Sequence, residues 1–394
     1  MSTREVMVVA AARTAIGDYG ASLKDVAPTR LGAIAIKEAV WRAKVDPAAV
    51  GHVVMGSVIH GEARDMYLSR VAAIDAGLPV GTPCLTVNRL CGSGLQAIVS
   101  AAQHILLGDT DIVVGGGAES MSRAAYFLPA GRWGQRMGDE PVVDAMTGAL
   151  HDPFGHGHMG ITAENVAAKF GFTRDAQDAF AVESHKRAQN ALDKGYFKEQ
   201  IVPIELKTRK GVEQFTNDEH VRKGLKIEDL QKLKAVFKKD GTVTAGNASG
   251  LNDAGAAIVM CSSDAAKQKN LKPIARLVAY AHAGVDPQLM GLGPIPAVKR
   301  VFEKAGLKPA DMDVVESNEA FAAQAMAVTQ DLGLDPAKVN PNGGAVALGH
   351  PIGATGAILT VKALYELART QKRYALVTMC IGGGQGIAAI FERQ

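Results

Sequence analysis

Arg42-Ala43-Lys44-Val45-Asp46-Pro47-Ala48-Ala49-Val50, followed by Val53-Val54-Met55-Gly56, returns in diverged form later in the chain. There it reads Lys304-Ala305-Gly306-Leu307-Lys308-Pro309-Ala310-Asp311-Met312, followed by Val315-Glu316-Ser317-Asn318. Each copy reads as a helix end, a turn at proline and a strand. Pro47 and Pro309 lie 262 positions apart (309 less 47). The same offset, without a gap, carries Cys91 onto Gly353 and Gly94 onto Gly356. It therefore superimposes two loop-helix segments, one holding Cys91 and the other His350. Two matches in one register mark an internal duplication.

Outward from these repeats, each half alternates strands and helices. In the first half, Val6 to Ala10 and His52 to Val58 have strand character, and Arg30 to Lys44 has helical spacing. Leu95, Ile98, Ala102, Ile105 and Leu106 define a helix closed by Gly108, and Ile112-Val113-Val114 is the next strand. The second half closes with strands at Tyr374 to Thr378 and Gly386 to Phe391. Alternation of this kind predicts mostly parallel sheets covered by helices. Gly92 to Leu107 carries almost no charge, so this helix is expected to be buried on all sides between two sheets. The expected fold class is α/β, a duplicated five-layered α/β/α/β/α sandwich.

From about Ser120 to Thr244 the pattern becomes polar, with helices expected to begin at Thr162 and Thr173. This stretch reads as an inserted loop domain folded over one face of the core. Residues 1–119 with 245–270 then form the first half, 120–244 the insertion, and 271–394 the second half. Arg132-Trp133-Gly134 is loop-like, with a tryptophan suited to a subunit contact.

Composition narrows the function. With 47% hydrophobic and 21% charged residues, the chain of 394 reads as globular. Its 43 glycines have no period, which points to tight turns and not to a collagen-like rod. A net charge of +3 does not call for nucleic acid. The basic runs Lys207-Thr208-Arg209-Lys210 and Lys232-Leu233-Lys234 with Lys238-Lys239 read as solvated faces able to attract an anionic small molecule. Four cysteines without Cys-x-x-Cys spacing make neither a disulfide framework nor a zinc site. No apolar run is expected to reach the length of a membrane span. The start, Met1-Ser2-Thr3-Arg4-Glu5-Val6, lacks signal-peptide organisation, and Phe391-Glu392-Arg393-Gln394 is no peroxisomal address; the expected compartment is the cytoplasm.

Cys91 sits in Asn88-Arg89-Leu90-Cys91-Gly92-Ser93-Gly94 and reads as heading a helix. There the dipole and free N–H groups should lower its thiol pKa, and the glycines leave space around the sulfur. Cys84 and Cys261 lack these features and read as core packing. His350, in Leu348-Gly349-His350-Pro351-Ile352-Gly353, is the candidate activator of a cysteine nucleophile. Cys380 precedes Ile381-Gly382-Gly383-Gly384, and the Gly382 and Cys91 N–H groups are suited to an oxyanion hole. Asn318 follows a strand in Ser317-Asn318-Glu319-Ala320-Phe321. It offers an amide for a water or carbonyl, or a cap for a helix starting near Glu319. The runs Gly115-Gly116-Gly117 and Gly382-Gly383-Gly384 match no dinucleotide fingerprint, and there is no P-loop, so neither nicotinamide nor ATP is expected.

Taken together, the Cys91, Asn318, His350 and Cys380 motifs resemble the four active-site signatures of the thiolases, in that family's order, within a likeness running from about residue 5 to residue 393. The resemblance implies a duplicated five-layered sandwich with an inserted loop domain, and reversible Claisen condensation and thiolysis of acyl-CoA. It makes Cys91 the nucleophile, His350 its activator and Cys380 the acid/base for the α-proton. His350 and a water held by Asn318 would stabilise the enolate oxygen, with Cys91 and Gly382 N–H groups serving the tetrahedral intermediate. It also assigns contacts to coenzyme A: His158 and Ser249 on the pantetheine arm, together with Met159 and Ala245 of the same motifs, and Arg222 near the nucleotide. Met290 would line the acyl pocket, with Ala320 and Phe321 beside it. Coenzyme A and acyl-CoA are implied as substrates, with no permanently bound cofactor, no metal, no nucleic acid and no membrane, and with a homotetramer as the assembly.

Three other readings compete. A ketoacyl synthase shares the sandwich but pairs its cysteine with two histidines, and this chain has Cys380 in place of the second. A non-catalytic acyl-CoA scaffold predicts loss of a reactive group, and a cysteine hydrolase leaves Cys380 without a task.

Overall fold

The computed structural model describes residues 4–208 and 211–394, without the Thr208 side chain. Arg209 and Lys210 of the first basic run, and the first three residues, lie outside the described residues. The first half contains β1 (Val6–Thr14), α1 (Pro28–Ala43), β2 (His52–Gly56), α2 (Leu68–Asp75), β3 (Cys84–Val87), α3 (Ser93–Leu107) and β4 (Ile112–Ser120). The chain then leaves the main strand path for residues 121–251, which include α4 (Met159–Phe170) and α5 (Arg174–Asp193) and touch the sheet again where Ile201–Val202 pairs in parallel with Arg13 and Thr14 of β1, and it returns as β5 (Asn252–Ser262). The second half contains β6 (Ala275–Gly284), α6 (Pro294–Ala305), β7 (Val314–Ser317), α7 (Ala322–Asp331), α8 (Ile352–Thr370), β8 (Tyr374–Ile381) and β9 (Gln385–Arg393).

Local chemistry accounts for these bounds. α1 opens on Pro28, whose missing N–H costs nothing at a first turn, and closes on Lys44 in the left-handed region, with its N–H returned to the Trp41 and Val40 carbonyls. α6 buries Ile295, Val298, Val301 and Phe302 along one stripe, while Lys299, Arg300, Glu303 and Lys304 face out, and Gly306 ends it. Thr173 caps α5 as expected, its hydroxyl accepting from the Ala176 N–H at 3.2 Å. Thr162 does not cap α4. That helix starts at Met159 with His158 as its cap, and the Thr162 hydroxyl bonds back to the Met159 carbonyl inside the first turn.

The strands run in the order β7-β8-β9-β6-β1-β5-β4-β2-β3. Only β7–β8, β4–β2 and β2–β3 pair in parallel among these neighbours; β5 and β9 run against the strands beside them, so the mostly parallel expectation is corrected to a mixed sheet. The reason lies in the connections. Helical crossovers link β2, β3 and β4, whereas β9 follows β8 by a tight turn, which permits only antiparallel pairing. The halves are also hydrogen-bonded to each other, antiparallel, through Val6–Val8 of β1 and Ala275–Leu277 of β6.

Three apolar clusters define the layers. One joins α1 and α2 to the outer face of the first half-sheet, through residues such as Leu31, Ile36, Val53, Leu68 and Val259. A central one holds α3 and α8 between the half-sheets, through Leu95, Ile98, Ile358, Leu364, Val113 and Val377. The third packs α6 and α7 on the second half-sheet. α3 and α8 cross in contact, and this is where the stretch Leu90–Leu107 corrects the expectation about membrane spans. By length and composition it is long and apolar enough to cross a membrane, yet more than half of it is buried inside the fold. Leu106 and Leu107, at its end, are exposed, so the helix is not covered on every side.

Candidate active site

Cys91 lies between β3 and α3. The helix begins at Ser93 with Gly92 as its cap, so Cys91 stands one residue before the cap and not in the first turn. Leu90 before it adopts a φ of 44°, a conformation costly for a residue with a side chain. The loop is held by the Asn88 Oδ1, which accepts from the Leu90 N–H at 2.9 Å, and by the Ser93 hydroxyl. That hydroxyl accepts from the Arg89 N–H at 2.9 Å and donates to the Leu90 carbonyl at 2.7 Å. Gly92 lets this loop press on β8: a Cβ there would come within 2.6 Å of Ile381 Cδ1.

Cys380 is the second-last residue of β8 and is buried. The turn to β9 takes Gly383 and Gly384 through φ of 80° and 85°, leaving Gly382 facing Leu90 and Met159. His350 follows Gly349, whose φ is 103°. A side chain at 349 would run into the amide of Asn252, which itself accepts the His350 N–H at 2.9 Å. The His350 ring is enclosed: Nδ1 lies 2.7 Å from the Thr355 hydroxyl, and Nε2 lies 3.5 Å from Asn318 Nδ2. Asn318 follows β7, with its N–H on the Thr378 carbonyl at 3.0 Å. It is not a helix cap, because α7 starts only at Ala322.

The loop near residue 248 is stitched to the segment leading into α7. The Ser249 N–H donates to the Ala320 carbonyl at 3.0 Å and the Ala322 N–H to the Asn247 carbonyl at 2.9 Å. His158, capping α4, accepts from the Gly160 N–H at 3.0 Å and stacks on Phe237. These elements converge on one cavity of about 50 Å³. Cys91, His350, Cys380, Gly382, His158, Met159, Ser249, Met290, Ala320 and Phe321 all line it. Asn318 is buried beside His350 without reaching the lining, and Arg222 and Ala245 are exposed and do not line it. Arg222 stands beside Asp18 and donates its N–H to His185 Nδ1 at 3.1 Å. A far larger groove, about 570 Å³, opens elsewhere between Phe172, Phe180, Met326 and Leu334; it holds neither sulfur.

Burial sets the electrostatics. It pushes the Cys91 thiol up to about 11, against the pull of the Gly382 and Cys91 N–H groups, and the charge of Glu119 pushes the same way. The expectation of a lowered thiol is therefore overturned. The Cys380 thiol is raised too, chiefly by burial and then by Cys91. Burial lowers His350 to about 4, and burial with His151 lowers His158 to about 4. At neutral pH the pocket holds two thiols and neutral rings.

Several residues here escape sequence reasoning. Leu90, Ala149, Leu150 and Ile352 line the cavity. Glu119, fully buried, accepts from the Gly353 N–H at 2.8 Å, the Val58 N–H at 3.0 Å and the Ile59 N–H at 3.2 Å, tying the first half to the His350 loop. Burial lifts it to about 8. Nothing in the local pattern around Glu119 or Asn252 signals these long-range roles. Ile352 and Thr355 could have been found from their spacing to His350.

A duplicated α/β sandwich that brings two thiols and an imidazole to one apolar cavity defines a cysteine-dependent acyl-transfer enzyme. Thiolase N-terminal and C-terminal domain models match residues 6–264 and 271–393. The chain belongs to the thiolase family. It is 66% identical to beta-ketothiolase BktB of Cupriavidus necator, over 99% of this chain and 100% of that protein. It is 50% identical to an acetyl-CoA acetyltransferase of the same organism, with the same coverage. The crystal structure of human mitochondrial 3-ketoacyl-CoA thiolase in complex with CoA superimposes with a TM-score of 0.96 at 46% identity, covering 100% of this chain and 98% of that one.

Proposed function

We propose that the chain catalyses reversible Claisen condensation and thiolysis between thioesters. Two acetyl-CoA give acetoacetyl-CoA and free CoA, with propionyl-CoA or longer 3-ketoacyl-CoA as further substrates. The observation that carries this reading is the single cavity lined by Cys91, His350, Cys380 and Gly382. A nucleophile and a separate carbon-acid base must face the same small space for a carbon–carbon bond to form.

In the first half-reaction, the Cys91 sulfur attacks the acyl carbon and its proton passes to His350, while Cys380 gives its own proton to the departing CoA sulfur. The acyl group stays on Cys91 as a thioester, with Cys380 left as a thiolate and His350 as an imidazolium. In the second, the Cys380 thiolate takes an α-proton from a new acetyl-CoA, and protonated His350 with a water held by Asn318 stabilises the enolate oxygen. The enolate carbon attacks the Cys91 thioester, the oxyanion rests on the Cys91 and Gly382 N–H groups, and the Cys91 sulfur leaves to regain its proton from His350. Each group ends the cycle as the neutral thiol or ring with which it began. The Cys380 thiol, raised chiefly by burial, makes a strongly basic thiolate for the α-proton.

His158, Met159, Ala245 and Ser249 would hold the pantetheine arm and Arg222 the nucleotide, while Met290, Ala320 and Phe321 bound the acyl end. The reading extends to a cytoplasmic homotetramer, a dimer of dimers, with acyl-CoA as its small-molecule partner and no resident cofactor. Tyr126, Phe127, Leu128, Trp133 and Met137 support the assembly, since they are exposed apolar side chains on the stretch between β4 and β5. We take residues 1–119 with 245–270, 120–244 and 271–394 as first half, inserted domain and second half.

The test is direct. Incubation with acetyl-CoA should add one acetyl group to the peptide carrying Cys91, and Cys91→Ser should abolish it. A wild-type protein that never acquires the acetyl group would reduce the chain to an acyl-CoA-binding scaffold.

A further inference from the structure

Thr355 lies in the first turns of α8 and is buried. Its Oγ1 is 2.7 Å from His350 Nδ1 and 2.9 Å from the Pro351 carbonyl oxygen. A threonine hydroxyl has one hydrogen, and a carbonyl can only accept. The hydrogen therefore goes to Pro351, and the hydroxyl meets His350 as an acceptor. Nδ1 must then carry a hydrogen, which leaves Nε2 of the neutral ring as a lone pair. The opposite side of the ring fits the same tautomer. Asn318 Nδ2, an amide donor, faces Nε2 at 3.5 Å, the arrangement an acceptor requires. Burial holds the ring pKa near 4, so the tautomer of the neutral ring is the one that matters.

We propose that Thr355 is a positioning residue that locks His350 as the Nδ1–H tautomer, so that Nε2 stands ready for the Cys91 proton. This deepens the proposed acyl transfer and rests on it. In the step itself the Sγ–H bond breaks, the proton joins Nε2, and Nδ1–H keeps its bond to the Thr355 hydroxyl while the imidazolium lasts. A carboxylate at that place would draw the ring toward permanent protonation. A hydroxyl orients it and leaves it neutral.

The duplication supplies a counterpart. The offset that pairs Pro47 with Pro309 pairs Ser93 with Thr355. Ser93 accepts from the Arg89 N–H and donates to the Leu90 carbonyl, bracing the Cys91 loop. Each half thus places a hydroxyl at the start of its central helix, one holding the nucleophile's loop and the other the base.

Thr355→Val keeps the shape and removes the hydroxyl; Thr355→Ser keeps the hydroxyl. Two readouts decide: the single-turnover rate of Cys91 acetylation by acetyl-CoA, and the ring ¹⁵N shifts of His350, assigned by their loss in His350→Asn. Thr355→Val should acetylate roughly 10-fold to 100-fold more slowly, with KM within about twofold. Thr355→Ser should stay within about threefold of wild type. Wild type and Thr355→Ser should show hydrogen on Nδ1 and a bare Nε2, and Thr355→Val a mixture. Wild-type His350 with its hydrogen on Nε2 overturns the proposal, as does a Thr355→Val enzyme with wild-type rate and ring shifts. Should Thr355→Val not fold, the wild-type and Thr355→Ser spectra still decide. A protein that shows the Nδ1–H ring but never acetylates Cys91 refutes the acyl-transfer reading and leaves the tautomer assignment intact.

Discussion

Lys362 Nζ lies 2.7 Å from Glu316 Oε2, with the two side chains only 2% and 0% exposed. Lys362 also donates to the Gly343 carbonyl at 2.7 Å. The pair ties α8, which carries the His350 loop, to β7, which delivers Asn318. Burial holds the Glu316 carboxyl above the usual range even though Lys362 pulls it down.

Lys362→Met should therefore cost about 3–5 kcal/mol at neutral pH, because it leaves the buried Glu316 carboxyl without its cation and holds it protonated. The loss should grow with pH. With Lys362 present the folded-state carboxyl ionises at about 7, and without it the carboxyl stays protonated to higher pH, so relative to wild type the variant loses further stability as pH rises above about 7. Urea melts at pH 5 and pH 8 check this; equal losses at both would mean that the pair carries no charge.

Gly94 and Gly356 hold equivalent places in the duplication, and each packs on the other's helix. A Cβ on Gly94 would come within 2.7 Å of the Ala357 backbone nitrogen, and one on Gly356 would collide with the backbone of Leu95. Neither obstacle is a flexible side chain. Gly356→Ala should destabilise by about 1–3 kcal/mol or more, read as a lower denaturation midpoint, and should slow catalysis by displacing the loops at both helix starts. An unchanged midpoint would show that the helices can separate freely.

The resting state is two neutral groups, thiol and imidazole. Alkylation of Cys91 by iodoacetamide should then rise about tenfold per pH unit between pH 7 and 9, as the thiolate fraction grows toward a pKa of about 11. A rate already flat from pH 6 upward would mean a standing thiolate–imidazolium pair.

Much of this was legible in the chain. The repeat around Pro47 and Pro309 identified the duplication, and the glycine-flanked Cys91, His350 and Cys380 do meet in one cavity. What local pattern could not supply was direction and distance. Strand order put β5 and β9 antiparallel because of connections, which no single strand encodes. The helix terminus alone gives the Cys91 thiol shift the wrong sign, because it leaves out burial. Such a terminus contributes about 0.3–1 kcal/mol, whereas a thiol at about 11 has lost roughly 3 kcal/mol of thiolate stability to burial. Glu119 and Asn252 brace the His350 loop from far away in sequence, so nothing near His350 announced them.

The most direct test of the division of labour is α-proton exchange. Acetyl-CoA is incubated in D₂O with wild-type enzyme and with Cys380→Ser, and both deuterium uptake and Cys91 acetylation are followed by mass spectrometry. The account predicts acetylated Cys91 in both proteins, with deuterium entering acetyl-CoA only in the wild type. Exchange by Cys380→Ser at the wild-type rate would contradict it, because the carbon acid would then have found its base elsewhere.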